Sequence, residues 1–575
     1  MSPSIIDAQS ILAVEIGTVT TRALLFDVVD GQYRFIAQGS APSTVNAPFR
    51  EAGEGIHLAV NRLEEITGRT FLNLKGELIL PVQSDSSGVD RLVLTYTAGP
   101  VLRVVVAGLL ADVSLESARN LAATLPVQVV ETLGLNDTRS LDLQMQAMIA
   151  AEPDLVLLAG GSENGASRSV FKLAELISLA YRVLPPDRRP HVLYAGNQAL
   201  AKKIKEGLER TVHTLTAPNV RPSVDIEDLA PAESALSEAA ANIRYGQIGG
   251  LQNWASISSA LPLPGSLAFG RMIRFLSHIG DAVKGVLGVQ LGSGSTTLAM
   301  GKGGNLALEV FPYSSGRGAA LVLEHSALED ITQWLPMHMP DVVARDYLAQ
   351  KALYPQVIPT NSETLALELA LTRQALRLSM QQMLARHPLY NLAYEPILAG
   401  GAVLTQAPQP AHALLALLDG LQPVGVTTLF LDQNELLTSL GAAAQINSLL
   451  PVQVIESGAL LNLGTVICPV SDARYGTPIL RARLEYERGG ENVVEVRQGS
   501  LVTLPLQNGQ VANLHLQPLR RVQIDPRGKP GPAKFQIVGG ACGAVIDARG
   551  RPLVLPKDSA RRREMIKKWS LALGL

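Results

Sequence analysis

Apolar runs alternate with helix-like segments through the first half of the chain. The runs at 101–107, 127–130, 155–159 and 191–195 predict strands, and the segments at 114–125, 141–151 and 170–184 predict helices. Strands that alternate with helices build a largely parallel sheet covered by helices. The pattern therefore predicts an α/β fold.

The second half continues this pattern and then changes character. Residues 363–386 predict one long helix, and further elements are predicted as strands at 397–399 and 428–431 and as helices at 411–418 and 436–449, the last stopped by Pro451. Beyond Pro451, short alternating segments such as 480–486 predict β-strands. We therefore expect a separable β-rich region over residues 451–575.

The chain ends in a predicted helix over 559–573. Ile566, Trp569 and Leu573 lie on one side of it, and five basic residues supply positive charge. Docking on its own domain is the simpler interpretation, and a partner or membrane surface is the alternative.

Upstream of this helix, a short segment is repeated: residues 524–530 return in similar form as residues 546–552. Asp at the start and Gly at the end of each copy favour turn chemistry over a functional Asp/Arg motif.

Two stretches, 11–26 and 286–300, each read as an apolar strand, a turn of Gly, Ser and Thr, and a second apolar strand. Glycine lets backbone N–H groups approach an anion closely, and hydroxyls add donors. The pair suggests that a nucleotide's phosphates are held between two lobes. The candidate binding residues are Gly17, Thr18, Thr20, Thr21 and Arg22 in the first stretch, and Gly292, Ser293, Gly294, Ser295 and Thr296 in the second.

Composition narrows the class of protein. The 575 residues are 47% hydrophobic and 17% charged, which predicts several domains with large cores and little disorder. The first ten residues lack the pattern of a signal peptide, and the longest charge-free stretch, 245–270, contains prolines and glycines that argue against a membrane span. Two cysteines cannot build a disulfide framework or a Cys-rich zinc site, so we expect a cytoplasmic protein.

Charge is distributed unevenly. Residues 451–575 hold 18 basic and 10 acidic residues, whereas the remainder holds 31 basic and 41 acidic residues. The simpler interpretation of the split is a solvated basic surface; an anionic partner for the C-terminal part, or contact with the acidic part of the chain, is the alternative. The basic residues lack the interleaved aromatic side chains of a single-strand nucleic-acid platform, so no nucleic-acid partner is expected.

The two hairpins and a third element resemble the motifs of the actin/Hsp70/sugar-kinase (ASKHA) superfamily. The first hairpin resembles its phosphate-1 motif, the second its phosphate-2 motif, and residues 396–402, with Gly400, Gly401 and Ala402, its adenosine motif. The resemblance implies an α/β, two-lobed actin-like ATPase (ribonuclease H-like) fold. It also implies ATP or ADP with Mg²⁺ as cofactors.

Four further segments, at 157–165, 193–197, 351–359 and 432–442, resemble the family of the glutamate mutase accessory protein MutL, also called GlmL and distinct from the mismatch-repair protein of similar name. The resemblance covers about residues 11–450. It implies a chaperone-like helper, acting through nucleotide-dependent lobe closure, for an adenosylcobalamin-dependent mutase. No cobalamin-binding Asp-x-His-x-x-Gly element is present, so we do not expect the mutase itself.

We expect three domains from these motifs. Residues 1–246 form a first actin-like lobe with an inserted α/β segment, residues 247–450 a second lobe, and residues 451–575 the β-rich domain with its terminal basic helix.

Departures from the superfamily pattern concern the hydrolytic chemistry. The superfamily has Asp at the positions of Glu15 and Gln290, where the resemblance implies Mg²⁺ binding, often through water, or positioning of the attacking water. Glu15 keeps the charge and is the candidate metal residue, whereas Gln290 cannot act as a base. Arg22 replaces a usual Lys, and Glu163 stands where the family has Asp, with a structural loop role at least as well supported.

These departures predict at most slow ATP hydrolysis, and they predict that Gln290→Asp accelerates it. A weakly hydrolysing or inactive nucleotide-binding scaffold, or a homo-oligomeric, polymer-forming actin relative, is the alternative. A small-molecule kinase is the weakest hypothesis, because no substrate base stands out.

Overall fold

The computed structural model describes residues 9–163, 165, 167–281, 283–388, 390, 393–526 and 531–575. These residues form two compact units. The first contains the described residues up to Ala268 together with Thr438–Pro451, and the second contains Phe269–Leu437 and Val452–Leu575. The first unit thus runs past the boundary expected after residue 246.

Within the described residues, the first unit holds ten strands, seven complete α-helices and the start of an eighth. The strands are β1 (Ile11–Ile16), β2 (Thr20–Val29), β3 (Gln32–Pro42), β4 (Arg91–Tyr96), β5 (Leu102–Ala107), β6 (Val127–Leu133), β7 (Leu155–Leu158), β8 (His191–Tyr194), β9 (Thr214–Thr216) and β10 (Leu263–Pro264). The helices are α1 (Ala52–Thr67), α2 (Glu116–Ala123), α3 (Leu141–Ala150), α4 (Arg168–Arg182), α5 (Gln198–Leu208), α6 (Glu233–Gln247), α7 (Leu251–Ile257) and α8 (Gly265–Ile279), which continues into the second unit.

The first sheet has the order β10-β4-β1-β2-β3. Strands β1, β2 and β3 form an antiparallel meander, while β4 pairs parallel with β1 and β10 parallel with β4. Helix α1 packs its apolar side, including Ile56, Val60 and Leu63, onto this sheet. It ends at Gly68, whose φ of 69° is a left-handed cap that glycine adopts without strain.

The inserted segment forms a separate parallel sheet with the order β6-β5-β7-β8-β9. Its core includes Val105, Val156 and Val192 from the strands and Ile177 and Tyr181 from α4. The strands and helices predicted from alternation over residues 101–195 are therefore present. The helix predicted from Ser114 begins instead as a π-helical turn, Ala111–Leu115, that leads into α2.

The second unit holds strands β11 (Val286–Leu291), β12 (Thr296–Lys302), β13 (Asn305–Phe311), β14 (Ile397–Gly400), β15 (Gly425–Leu431), β16 (Leu461–Cys468), β17 (Val470–Ser471), β18 (Pro478–Tyr486), β19 (Glu491–Arg497), β20 (Leu501–Leu504), β21 (Val511–Pro518), β22 (Val522–Gln523), β23 (Ala533–Val538) and β24 (Ala544–Asp547). The remaining helices are α9 (Ala319–His325), α10 (Leu328–Thr332), α11 (Asp341–Leu353), α12 (Ser362–Arg386), α13 (Ala402–Thr405), α14 (Pro410–Leu421), α15 (Leu436–Ala443), α16 (Leu449–Glu456) and α17 (Ser559–Ala572). Helices α15 and α16 contain residues of both units.

The main sheet of the second unit has the order β13-β12-β11-β14-β15-β16-β24-β20. Its first five strands repeat the plan of the first sheet: β11, β12 and β13 form an antiparallel meander, and β14 and β15 follow in parallel. The same five-strand order thus occurs once in each unit. This duplication is the ribonuclease H-like plan of the predicted actin-like fold, which is confirmed.

The β-rich character of residues 451–575 is also confirmed. The strands of this region belong to more than one sheet and do not form a single separate domain. Strands β16, β24 and β20 extend the main sheet of the second unit, whereas β19-β18-β21-β23 form a sheet of their own. The first group continues a sheet that starts at β13, so the region is not a separate body joined by a linker.

The C-terminal helix α17 docks on its own unit. Met565, Ile566 and Trp569 are buried in the core of the second unit. The Trp569 indole N–H donates to the Gly499 carbonyl at 3.0 Å, and the Thr503 hydroxyl donates to the Ala572 carbonyl at 2.7 Å. Burial of this face supports the self-docked interpretation of the helix.

The helix predicted over 436–449 is wrong in its extent, because two helices replace it. The Asn447 side chain accepts hydrogen bonds from the N–H groups of Leu449 (3.0 Å) and Leu450 (3.1 Å), and α16 starts there. Pro451 then lies in the first turn of α16. Proline is tolerated in that turn because the N–H it lacks has no partner within the helix.

The repeat at 546–552 holds more than turn chemistry. Asp547 pairs with Arg549 at 2.8 Å and with Arg551 at 2.7 Å, and Arg549 pairs with Asp419 at 2.7 Å. Asp419 also pairs with Arg373 at 2.6 Å, which completes a buried network that joins α12, α14 and the segment after β24. The first copy runs into residues 527–530, which lie outside the described residues.

Candidate functional site

The turn between β1 and β2 presents backbone N–H groups. It is closed by a hydrogen bond from the Gly17 N–H to the Thr20 carbonyl at 3.1 Å. The Val19 carbonyl accepts from the Ser43 N–H at 2.8 Å, and the Thr18 carbonyl accepts from the Asn46 side chain at 2.9 Å. Among the described residues, the N–H groups of Thr18 and Val19 have no hydrogen-bond acceptor. The carbonyls of this turn are therefore hydrogen-bonded within the protein, while the N–H groups of Thr18 and Val19 remain available as donors.

The turn between β11 and β12 has the same arrangement. The Gly292 N–H donates to the Ser295 carbonyl at 2.9 Å, and the Ser293 carbonyl accepts from the Ser314 hydroxyl at 2.7 Å. No acceptor for the N–H groups of Ser293 and Gly294 occurs in the part of the chain that the structure describes. A Cβ atom added to Gly294 would meet nothing within 4 Å, so the space above this turn is open.

Hydroxyl groups of the two hairpins differ in access. Thr18, Thr20, Ser293 and Ser295 are partly exposed. The other two predicted hydroxyl residues are fully buried: Thr21 lies inside the first unit, and the Thr296 hydroxyl donates to the Tyr313 carbonyl at 2.7 Å. These two hydroxyls lie inside the fold in this structure and are not available to a ligand at the surface.

Glu15 and Arg22 face each other across the β1–β2 pair. Glu15 is 5% exposed, and its carboxylate lies 3.4 Å from the Arg22 guanidinium. The predicted acidic and basic residues of the first motif are therefore brought together. Their ion pair holds the Glu15 carboxylate in place two residues before Gly17, where the turn begins.

Gln290 has a carboxylate partner that sequence reasoning missed. Its side-chain amide N–H donates to the carboxylate of Glu435, and the other carboxylate oxygen of Glu435 accepts from the Gly401 N–H at 2.8 Å. Glu435 is 4% exposed and takes a φ of 55°, which is uncommon for a residue other than glycine. One buried carboxylate thus connects the second phosphate motif with the predicted adenosine motif.

The glycines of the adenosine motif make room for this contact. A Cβ atom on Gly400 would lie 2.5 Å from the Gln290 amide oxygen, and one on Gly401 would lie 2.2 Å from the Leu291 carbonyl. Gly401 also has a φ of 119°, where side chains are strained. Both glycines are buried against β11, whereas Ala402, the first residue of α13, is exposed.

The protein supplies no closed metal cage among the described residues, since no group of three or more His, Cys, Asp or Glu side chains could hold an ion there. Mg²⁺ that accompanies a nucleotide needs only one or two carboxylates besides phosphates and water. Glu15, the predicted metal residue, provides such a carboxylate beside the first turn. The donor set is compatible with water-mediated Mg²⁺ binding.

Glu163 has a structural role. Its carboxylate accepts from the Asn219 side chain at 2.8 Å and from the Gln198 N–H at 3.2 Å, where α5 begins. A carboxylate at a helix N-terminus stabilises the helix. The neighbouring Asn164 of the same motif lies outside the described residues.

Glu435 could have been noticed from the sequence only indirectly. It lies in the segment 432–442 that resembles the MutL family, but its spacing from Gln290 gives no sign of contact. Asp432 in the same segment accepts from the N–H groups of Leu436 and Leu437, each at 2.8 Å, and so starts α15. The two acidic residues of this segment therefore have different roles: Asp432 caps α15, and Glu435 hydrogen-bonds with Gln290.

Comparison with protein families matches the chain over residues 11–309 and 316–458 to a family described as "MutL protein". Comparison with curated proteins gives no match. No helix within the described residues is both long and apolar enough to cross a membrane.

Solved structures with some likeness include nucleotide-free acetone carboxylase (13% identity, 86% of this chain and 81% of that chain, TM-score 0.32). They also include xylulose kinase from Bifidobacterium adolescentis (10% identity, 80% and 96%, TM-score 0.30). Component A of (R)-2-hydroxyglutaryl-CoA dehydratase from Acidaminococcus fermentans is a third (7% identity, 76% and 97%, TM-score 0.25). At these TM-scores the solved structures are not used to assign the fold. The fold assignment is based on the duplicated strand order.

Proposed function

The chain belongs to the MutL protein family, and from this premise we propose that it binds ATP or ADP and hydrolyses ATP slowly. The observation that carries the proposal is the pair of turns whose carbonyls are engaged while the N–H groups of Thr18, Val19, Ser293 and Gly294 have no acceptor among the described residues. Successive free backbone N–H groups form an anion-binding concavity.

Phosphate oxygens are the anions that such turns suit best. The partly exposed hydroxyl of Ser293 adds a donor to the second turn, whereas the Thr18 hydroxyl donates to the Thr97 carbonyl at 3.4 Å; Arg22 adds a positive charge beside the first turn. Bound Mg²⁺, near Glu15, would neutralise phosphate charge. The glycines at 17 and 292 let each turn close tightly, because their N–H groups reach the carbonyls three residues on.

Slow hydrolysis follows from the partners of Gln290. Glu435 receives its amide N–H, so the amide oxygen of Gln290 is left as the acceptor that could orient an attacking water molecule. An amide orients water but does not remove its proton. Glu435 is held in this contact, because one of its oxygens accepts from the Gln290 amide and the other from the Gly401 N–H. We therefore assign Gln290 a water-positioning role and Glu435 the role of fixing Gln290.

The same contact reverses the expected effect of Gln290→Asp. That substitution would set two carboxylates side by side, and one of them would have to bind a proton or move away. We now expect the variant to lose activity and not to gain it.

The wider role follows from the family and not from the site. We propose a chaperone-like helper whose nucleotide state controls closure of its lobes, with an adenosylcobalamin-dependent mutase as the partner that the resemblance implies. The fold provides two copies of the same five-strand unit, which is the architecture on which such closure acts in actin-like ATPases.

Phosphate release tests the proposed chemistry. Purified protein is incubated with ATP, with and without Mg²⁺, and inorganic phosphate is measured for wild type, Glu435→Gln and the exposed control Glu324→Gln. We expect Mg²⁺-dependent release well below the ~10 s⁻¹ of a median enzyme, a further loss in Glu435→Gln, and no change in Glu324→Gln. Calorimetry with ADP should give similar affinities for all three proteins.

The outcomes separate the two candidate functions. ATP binding without phosphate release would favour the non-hydrolysing scaffold, which the amide at position 290 also supports. Absence of nucleotide binding would remove both candidates. Release that is unaffected by Glu435→Gln would show that this carboxylate does not position the reacting groups.

A further inference from the structure

A cavity of about 470 Å³ opens on the second unit, lined by residues that belong to neither phosphate hairpin. It lies where the end of α9, the short helix α10, the long helix α12 and residues 553–555 meet. Its volume falls within the range of small-molecule sites, roughly 300–1,000 Å³. A single inorganic ion would leave most of it to water.

One face of α12 forms the polar wall of this cavity. Gln374, Arg377 and Gln381 line it and recur every three or four residues, so their side chains lie on the same side of the helix. Leu378 and Leu553 supply apolar contacts beside them. The wall is therefore rigid, because it belongs to a helix of 25 residues whose other faces are in the core.

Arg377 carries a charge that has no ion-pair partner in the described part of the chain. It is half-buried, and no ion pair or hydrogen bond to its guanidinium occurs within the described residues. Arg373, one turn earlier on the same helix, differs in this respect, because it is buried against Asp419 at 2.6 Å. Position 377 thus offers a planar double donor to whatever occupies the cavity.

Gln374 is the second indication of a ligand. It is 6% exposed, yet the described part of the chain provides no hydrogen-bond partner for its amide. Buried side-chain amides are ordinarily hydrogen-bonded, because an unmade bond costs free energy. The amide nitrogen and oxygen of Gln374 are not among the fully enclosed atoms without a partner, so the partner of this amide is expected inside the cavity that it lines, as water or as a ligand.

The acidic residue in the cavity, Asp330, makes no ion pair with Arg377 among the described residues. Asp330 accepts a hydrogen bond from the Ala327 N–H at 2.9 Å and so starts α10. The His325 ring nitrogen Nδ1 is likewise engaged, at 2.9 Å from the Leu321 carbonyl. Among the described lining residues, Arg377 thus has no ion-pair partner, and the amides of Gln374 and Gln381 have no hydrogen bond to the protein.

We propose that this cavity binds a small organic carboxylate. Arg377 pairs with the carboxylate through two parallel N–H···O bonds, and Gln374 hydrogen-bonds a polar group beside it. A single guanidinium matches one planar carboxylate, whereas a phosphate dianion is usually held by more donors or by a backbone concavity such as the hairpin turns. The site is independent of the nucleotide chemistry proposed above.

Calorimetry on the full-length protein tests the proposal with succinate, L-glutamate and inorganic phosphate as probes. We expect at least one carboxylate to bind with a Kd below about 1 mM, the range of weak metabolite sites, and more tightly than phosphate. Arg377→Met should weaken it by about tenfold or more, Arg377→Lys by less, and the exposed control Arg345→Met not at all. Gln374→Leu should also weaken it.

Three results would overturn the proposal: no carboxylate binding up to 10 mM (~10⁻² M on the affinity scale), tighter binding of phosphate than of either carboxylate, or carboxylate affinity unchanged in Arg377→Met. Circular dichroism and ADP titration of each variant establish that it is folded. If Arg377→Met does not fold, Arg377→Lys decides: equal affinity to wild type would contradict the two-bond pairing.

Discussion

Asp547→Asn should destabilise the second unit more than any other single change in its buried charge network. Asp547 is fully buried and pairs with Arg549 at 2.8 Å and Arg551 at 2.7 Å. Burial opposes its ionisation, but the two arginine charges outweigh burial and hold its pKa below the ordinary value. The network has three arginines and two aspartates, so the substitution raises its net charge from one to two positive charges.

The expected cost is about 3–5 kcal/mol, the usual penalty for removing one partner of a buried ion pair. Helix α17 should report it, because the Arg549 guanidinium lies 4.9 Å from the centre of the Trp569 ring. Amide hydrogen exchange over residues 559–572 measures local opening. A loss of 3 kcal/mol should raise the exchange rate by more than a hundredfold, since 1.4 kcal/mol corresponds to a factor of ten.

Two variants serve as controls for this experiment. Arg549→Met leaves two balanced pairs, Arg373 with Asp419 and Arg551 with Asp547, so it should cost less. Asp346→Asn removes an exposed carboxylate and should change nothing. Because the folded pKa of Asp547 is depressed, its contribution is present above the unfolded pKa of about 3.9 and should be constant from pH ~5 to ~8. A loss below about 1 kcal/mol, or one no larger than that of Arg549→Met, would refute the reasoning.

Three further predictions concern other parts of the molecule. Trp569→Ala should cost about 3–5 kcal/mol in chemical unfolding, and removal of residues 557–575 should cause aggregation in light scattering; a soluble, stable truncated protein would contradict docking of α17. Burial and the neighbouring His213 lower the pKa of His191, so the unfolded state binds the proton first and thermal stability should fall as the pH drops through about 6.5. His191→Gln should weaken this pH dependence of stability, and an equal pH dependence in the variant would contradict the role of His191. Burial raises the pKa of Cys468 to about 12, so a thiol reagent at pH ~8 should modify it only in denaturant, and rapid modification of the native protein would disprove its burial.

Periodicity predicted the elements that have strong local signals. The long helix over 363–386 and the alternating strands of the inserted segment are present with nearly the predicted bounds, because each is a continuous run of one pattern. The extent of the helix predicted over 436–449 was wrong, since a side chain, Asn447, starts a new helix inside an uninterrupted apolar run. Hydrophobic spacing carries no record of such a cap.

Long-range pairing was harder to foresee. The alternating segments after Pro451 indicated strands but not their partners, and β16, β24 and β20 join a sheet that begins more than 150 residues earlier in the chain. Gln290 and Glu435 are a similar case. Sequence reasoning identified the missing acidic residue at position 290, but only the fold brings Glu435 to it.

Nucleotide affinity of Gly294→Val tests the central claim most directly. A Cβ atom at this position meets nothing within 4 Å, so the variant should fold normally while its side chain occupies the space above the turn's N–H groups. Gly207→Val, at an exposed glycine of α5 with equally open surroundings, is the matched control. We predict that ADP and ATP affinity, measured by calorimetry, falls by about tenfold or more in Gly294→Val and stays unchanged in Gly207→Val. Wild-type affinity in a folded Gly294→Val protein would contradict phosphate binding at this turn.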